Sequence, residues 1–169
     1  EVLASILSNS STSRLNRNLV NTSGVAVSAS AGYAMLTRGG LSLFEFYATP
    51  SEGINDSEIE AALKEEIAKI VNDGVTKDEL NRVKTGVIAG DVYQKDSVFS
   101  QGMLIGQLET MGYSHKLMDQ YIKNIKKVTS KQIQNVAAKY LIDDRLTVVT
   151  LNPQTIDPNH KSQGKPHVH

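Results

Sequence analysis

Four histidines and two acidic pairs are the side chains here that could hold a metal or move a proton: His115, His160, His167 and His169, with Glu65-Glu66 and Asp143-Asp144. A hydrolytic zinc site takes three closely placed ligands, often two histidines one helical turn apart so that both imidazoles reach one ion. No two histidines stand at that spacing in a helical stretch, and His167-Val168-His169 reads as part of a polar terminus. Glu65 and Glu66 are neighbours on a helix and point in different directions, so they read as members of a solvated face. Asp143-Asp144 precede a β-branched run, where acids commonly shape a turn; a carboxylate dyad is the second reading. There is no Gly-x-Ser-x-Gly elbow, and "RGGLS" (38–42) lacks the lysine and following helix of a phosphate loop. The basic cluster "NIKKVTSK" (124–131) has no interleaved aromatics and reads as a helix end rather than an RNA patch.

The stretch "SSTSRLNRNLVNTSGVAVS" (10–28) combines Arg14 and Arg17 with hydroxyl and amide side chains. A phosphate loop, a nucleic-acid grip and a helix running into a strand all use such residues. The periodicity favours the last. Val2, Leu3, Ile6 and Leu7 have helical spacing, the pattern resumes at Leu15 and Leu19, and Gly24 is placed as a helix stop. Ser10 to Ser13 then supply cap and turn chemistry between two short helices.

From Val25 the period becomes two, with Val25, Val27, Ala29 and Ala31 on one face and Ala26, Ser28 and Ser30 on the other. "TRGG" (37–40) is a turn signal, and "LSLFEFYAT" alternates Leu41, Leu43, Glu45 and Tyr47 against Ser42, Phe44, Phe46 and Ala48, which predicts a hairpin. A charged helix follows with a capping box from Ser57 to Glu60 and a stripe of Ile59, Leu63, Ile67, Ile70 and Val71. Gly74 ends it, and Thr76 with Glu79 opens the next helix, so the two are expected to pack as an antiparallel pair. Residues 97–112 read as a helix whose Gly102 and Gly106 each cost about 1 kcal/mol relative to Ala, a cost that close packing of another backbone would explain. Two more short helices follow, the second capped by Thr129 or Ser130, and "DRLTVVTLN" (144–152) is expected to close the sheet as an interior strand.

This order predicts an α+β fold: a two-layer sandwich of a mostly antiparallel sheet with helices packed on one face. Residues 1–152 form a single domain, and the aperiodic, proline-bearing residues 153–169 an extended or disordered tail. Equal numbers of basic and acidic residues, 18 each, leave no global field to attract nucleic acid or an anionic membrane. No apolar run is long enough for a transmembrane helix, and the absence of cysteine excludes disulfides and thiolate zinc sites in either redox compartment. Beginning on Glu1, the chain reads as a piece of something longer.

"ILSNSSTSRLNRNLVNTSGVAVSAS" (6–30) resembles a segment of the insulinase and mitochondrial-processing-peptidase family of zinc peptidases, the pitrilysin-like inverzincins. That segment reads approximately Leu-Gly-x-Gly-x-Ser-Ser-Arg-Leu, then Leu-Arg-Glu-x-x-Gly-Leu-Ala-Tyr before a strand. "DGVTKDELNRVK" (73–84) resembles the family's Gly-(Val/Ile)-Thr-x-x-Glu-Leu-x-x-x-Lys helix start, and residues 121–153 its closing helix and strand. The resemblance implies a LuxS/MPP-like metallohydrolase fold whose first strand is missing here. It also implies a role as the non-catalytic C-terminal half of a zinc endopeptidase, because the His-x-x-Glu-His motif of the catalytic half is absent.

By the same resemblance zinc belongs to the N-terminal half, and the partners are that zinc-bearing domain, a second peptidase-like subunit and the peptide substrate. No nucleic acid or membrane insertion is implied, and the family points to the bacterial periplasm or cell envelope. Relatives often carry an Arg and a Tyr seven residues apart that bind the substrate backbone and steady the oxyanion. Val20 and Val27 occupy those positions here, and neither can donate a hydrogen bond. Arg17, one turn from Val20, reads as surface. A degenerate homologue acting as a partner or assembly subunit is the alternative implied role.

Overall fold

The computed structural model describes residues 1–37 and 42–153. The "RGG" of the predicted turn, Leu41 and the tail from residue 154, with His160, His167 and His169, lie outside the described residues.

Helix α1 (Val2–Ser8) is apolar on nearly every side and sits at the centre of the molecule, with Val2, Leu3, Ala4, Ile6 and Leu7 all buried. It ends where Ser13 turns its hydroxyl back: Ser13 Oγ accepts from the amides of Asn9 (2.9 Å) and Ser10 (2.8 Å). The serine run therefore has the expected cap and turn role. Residues Asn16–Thr22 are helical as expected, but wound as a π-helix. Their own hydroxyls favour that winding. The Ser23 amide bonds the Asn18 carbonyl five residues back at 2.9 Å, and Thr22 Oγ1 and Ser23 Oγ donate to the carbonyls of Arg17 (2.7 Å) and Asn18 (2.8 Å). Gly24, at φ +68, then breaks the helix as predicted.

Strand β1 (Ala26–Tyr33) pairs antiparallel with β2 (Phe44–Pro50). A bulge between Ala26 and Ser28 inserts one extra residue, Val27, and resets the alternation. The predicted grouping of Val27 with Ala29 is corrected accordingly: Ala26 and Ala29 are buried, whereas Val27 is 65% exposed. Beyond the bulge Ala29, Ala31 and Tyr33 pair with Ala48, Phe46 and Phe44 on the core side, and Ser28, Ser30 and Gly32 pair with Thr49, Tyr47 and Glu45 on the open side.

Helix α2 (Asp56–Asp73) takes its cap two residues before the predicted Ser57. Asn55 is the cap, its Oδ1 accepting from the Glu58 amide while Glu58 returns to the Asn55 amide; Ser57 only donates its hydroxyl to Asn55 Oδ1. Helix α3 (Lys77–Lys95) begins on the Thr76/Glu79 box as expected. The two are not a packed pair, however. Helix α2 packs chiefly on α6 (Ser130–Tyr140), and α3 on α1, α5 (Leu117–Lys127) and α4 (Val98–Thr110).

The α2–α3 connection is occupied by other elements. Ser130 Oγ donates to the Val75 carbonyl and accepts from its amide, and Gln134 Nε2 donates to the carbonyls of Val71 and Asn72. Thr129 caps α6 with a box to Gln132. Each of these caps is worth about 1 kcal/mol of helix stability.

The core gathers Leu3, Leu7, Leu15 and Leu19 with Ile59, Ile70, Leu80, Ile125, Ile133 and Ala137, so every helix but α4 contributes to one cluster. Leu7 and Leu15 have no exposed surface, and each such side chain stabilises the fold by about 1.5–3 kcal/mol through burial. The architecture is α+β and dominated by helix, with a two-stranded antiparallel sheet among the described residues.

Two expectations fail here. Residues 146–153 follow a 3₁₀ turn (Asp143–Arg145) but make no strand pairing among the described residues, and Val149 and Leu151 are 88% and 90% exposed. Their β-branched pattern gives strand propensity, which needs a neighbouring strand to become a strand. Gly102 and Gly106 have nothing within 4 Å of an added Cβ, so close packing does not explain them.

Candidate functional site

The side chains of the stretch 10–28 divide sharply in the fold. Arg14 is committed to structure: Nε and Nη2 meet both carboxylate oxygens of Glu79 (2.8 and 3.0 Å), and Nη2 also donates to the Gly74 carbonyl at 3.0 Å. This bidentate pair is among the stronger polar contacts a protein can make. The Arg14 guanidinium, helped by the Thr76 amide and hydroxyl, pulls the Glu79 carboxyl down to about 2, against the opposing effect of burial. Arg14 is thus unavailable as a phosphate or nucleic-acid grip. Arg17 is exposed as expected, donating from Nε to Asn18 Oδ1 at 3.1 Å.

Val20 lies on the π-helix, half-buried against the core, and Val27 stands out from the bulge. The open face of the hairpin beside Val27 carries hydroxyls: Ser28 Oγ donates to Thr49 Oγ1 at 3.2 Å, and Tyr47, paired with Ser30, is 62% exposed. The nearby Glu45 carboxylate raises the Tyr47 phenol above its ordinary value, and the exposed hydroxyl can donate or accept a hydrogen bond. In the strand alternation Tyr47 stands with Leu41, Leu43 and Glu45, a grouping that does not single it out. Among the described residues the face offers hydroxyls, apolar surface and the Glu45 carboxylate, and none of its strand positions carries a cation.

The remaining candidates are satisfied locally. Glu65 lies in solvent and pairs with Lys69 at 2.9 Å, as expected. Glu66 does not: it is 1% exposed, accepting from Asn18 Nδ2 and Lys69 Nζ, each at 2.8 Å. Its place on the core-facing stripe between Ile59 and Ile70 was the available signal. Asp143 and Asp144 shape the 3₁₀ turn, and Asp143 pairs with Lys64 at 2.8 Å. The hydrogen bonds that the Lys64 ammonium donates to Asp143 and then to Glu60 push it up to about 12.

His115 Nδ1 lies 2.8 Å from Glu109 Oε1, which also accepts the His115 amide, and this lowers the Glu109 carboxyl. Lys126 and Lys127 form the last turn of α5, beside the carbonyl end of the helix dipole, so the basic cluster is a helix end. Among the described residues no three His, Asp or Glu side chains are gathered where a metal ion could be held, so they do not fit a zinc site. A concavity of about 190 Å³ between α1 and the end of β1 is lined by Glu1, Ser5, Ser8, Asn9, Ala31 and Tyr33 among others, and the Glu1 carboxylate accepts from the Tyr121 hydroxyl. No described helix is long and apolar enough to cross a membrane.

Comparison with known proteins returns one family and several solved folds. No curated protein matches the chain. A protease from Helicobacter pylori superposes with a TM-score of 0.79 at 19% identity, covering 85% of this chain and 34% of its own. The chain therefore spans about a third of the length of that relative. The inactive peptidase domain of a protein named as a zinc protease from Bordetella parapertussis gives 0.77 at 18% identity, covering 91% of this chain and 82% of its own. A protein named as a zinc protease from Bordetella pertussis Tohama I gives 0.72 at 17%, covering 85% of this chain and 77% of its own. These likenesses establish the fold. Residues 1–87, just over half of the chain and including the Arg14–Glu79 clamp and the whole hairpin, match the family described as the Peptidase M16 inactive domain. The chain belongs to the Peptidase M16 inactive domain family.

Proposed function

We propose that this chain serves as the non-catalytic half of a zinc-dependent endopeptidase, walling a substrate chamber and packing on a zinc-bearing N-terminal half. The observation that carries the reading is the family match across the Val20–Val27 segment, with both donor positions held by aliphatic side chains. Relatives named as zinc proteases support the zinc chemistry of the parent, and zinc held in the other half would activate the attacking water. Among the described residues of this chain no His, Asp and Glu side chains are gathered as a metal-ligand set, so the water-activating step is assigned to the other half.

What the chain offers a peptide is surface. The open hairpin face, with Val27, Ser28, Ser30, Tyr47 and Thr49, suits an extended backbone lying against hydroxyl and apolar groups. A second peptidase-like subunit would then supply the missing oxyanion donors, in a bacterial periplasm or envelope. The loss of both donors at once also favours a second reading, a degenerate homologue that assembles without cleaving.

The purified chain should not hydrolyse a panel of quenched fluorescent peptides, with or without zinc, and mixing it with its zinc-bearing half should produce cleavage that a chelator abolishes. Chelator-sensitive hydrolysis by the chain alone would sink the proposal. An inert mixture that nevertheless forms a stable complex would decide for the second reading.

A further inference from the structure

The π-helix Asn16–Thr22 is held from two directions. Internally, the hydroxyls of Thr22 and Ser23 answer the carbonyls five residues back. Externally, Glu66 of α2 reaches the middle of the segment through Asn18 Nδ2 at 2.8 Å. The Asn18 amide is fixed from both sides, since its Oδ1 accepts from Arg17 Nε at 3.1 Å while its Nδ2 points at Glu66. The Glu66 carboxylate is 1% exposed and is neutralised by Lys69 Nζ at 2.8 Å. Burying a carboxylate is costly unless it is both paired and hydrogen-bonded. A carboxylate in the core-facing stripe of α2 that spends one of its oxygens on a single amide group marks that bond as the reason for its burial.

A seven-residue π-helix is rare, because the i→i−5 winding is less favourable than the α winding and survives only where something else holds it. We infer that Glu66 is a positioning residue that locks residues 16–22 into the π winding through Asn18, and thereby sets the register in which the chain enters β1. Rewinding to i→i−4 bonds would take one residue out of the turn and pass it to the Ser23–Val25 link. Val20 sits inside the segment, and the Val27 bulge is the next irregularity downstream. Both positions are therefore presented at a place that α2 dictates from 48 residues away along the chain. The inference concerns the winding alone and stands whether or not the peptidase reading does.

The test reads the hydrogen bond itself. In the isotope-labelled full chain, a through-hydrogen-bond scalar coupling links the Ser23 amide nitrogen to the Asn18 carbonyl carbon when the π winding is present. Glu66→Gln keeps an acceptor oxygen for Asn18 and should retain that coupling. Glu66→Leu, matched in bulk but without an acceptor, should lose it and show coupling to the Leu19 carbonyl instead. If Glu66→Leu does not fold, Asn18→Ala at the half-exposed end of the same bond gives the answer, with the same loss expected. Persistence of the Ser23–Asn18 coupling in Glu66→Leu or Asn18→Ala would overturn the inference, as would its loss in Glu66→Gln.

Discussion

Arg14 and Glu79 show how a charged pair can be spent on architecture. The pair joins the loop after α1 to the start of α3, and the same guanidinium holds the Gly74 carbonyl, so three chain segments meet at one side chain. Arg14→Ala leaves Glu79 without its cation in a largely enclosed place and should destabilise the fold by about 2–3 kcal/mol in urea denaturation at pH 7. The pH dependence has a definite sign. The folded Glu79 carboxyl sits near 2 and the ordinary value is 4.5, so its contribution is complete above about pH 4.5 and is lost as pH falls from there towards 2. Stability measured between pH 5 and 2.5 should therefore fall less steeply in Arg14→Ala than in the parent; equal slopes would rule the pair out as the cause. The arginine's presence was legible in the sequence, but its partner 65 residues away was not. Glu66 makes the same point in reverse. It looks like the solvated twin of Glu65, and although the stripe of Ile59 and Ile70 sets it on the core side, its Asn18 partner 48 residues away is not visible in the sequence.

Among the elements, helix boundaries were the most readable feature, because a cap is settled within four residues. Thr76 with Glu79 and Thr129 with Gln132 are capping boxes in both sequence and structure. At α2 the predicted Ser57 cap gives way to Asn55, two residues earlier, which holds the extended backbone that a cap requires, at φ −91 and ψ 167. Packing between elements was less readable. The short connection of α2 to α3 suggested that they pair, but Ser130 and Arg14 occupy that corner and send the helices to different neighbours. Helix α4 gives a clean test of propensity. Gly102 and Gly106 face open space, so Gly102→Ala and Gly106→Ala should each raise stability by about 0.5–1 kcal/mol in thermal denaturation. A loss of stability in either would mean that the glycine backbone meets a close neighbour.

For the molecule as a whole, the hairpin and five helices close around α1, while residues 146–151 make no strand pairing among the described residues. Val149→Lys on this segment should leave unfolding stability within about 0.5 kcal/mol of the parent, and amide hydrogens there should exchange as fast as those of an open chain. Slow exchange would show that these amides are bonded after all. The sequence by itself determined whatever depends on near neighbours: the helix starts at Thr76 and Thr129, the stop at Gly24, the alternation of β2, and the absence of donor groups at Val20 and Val27. Tertiary structure alone decided the π winding of residues 16–22, the outward turn of Val27, the Asn18 partner of Glu66 and the lack of strand pairing, among the described residues, in the last apolar run. Caps and periods are settled by energies acting over a single turn, whereas a bulge, a buried carboxylate or a strand exists only through a partner that the fold brings from far along the chain.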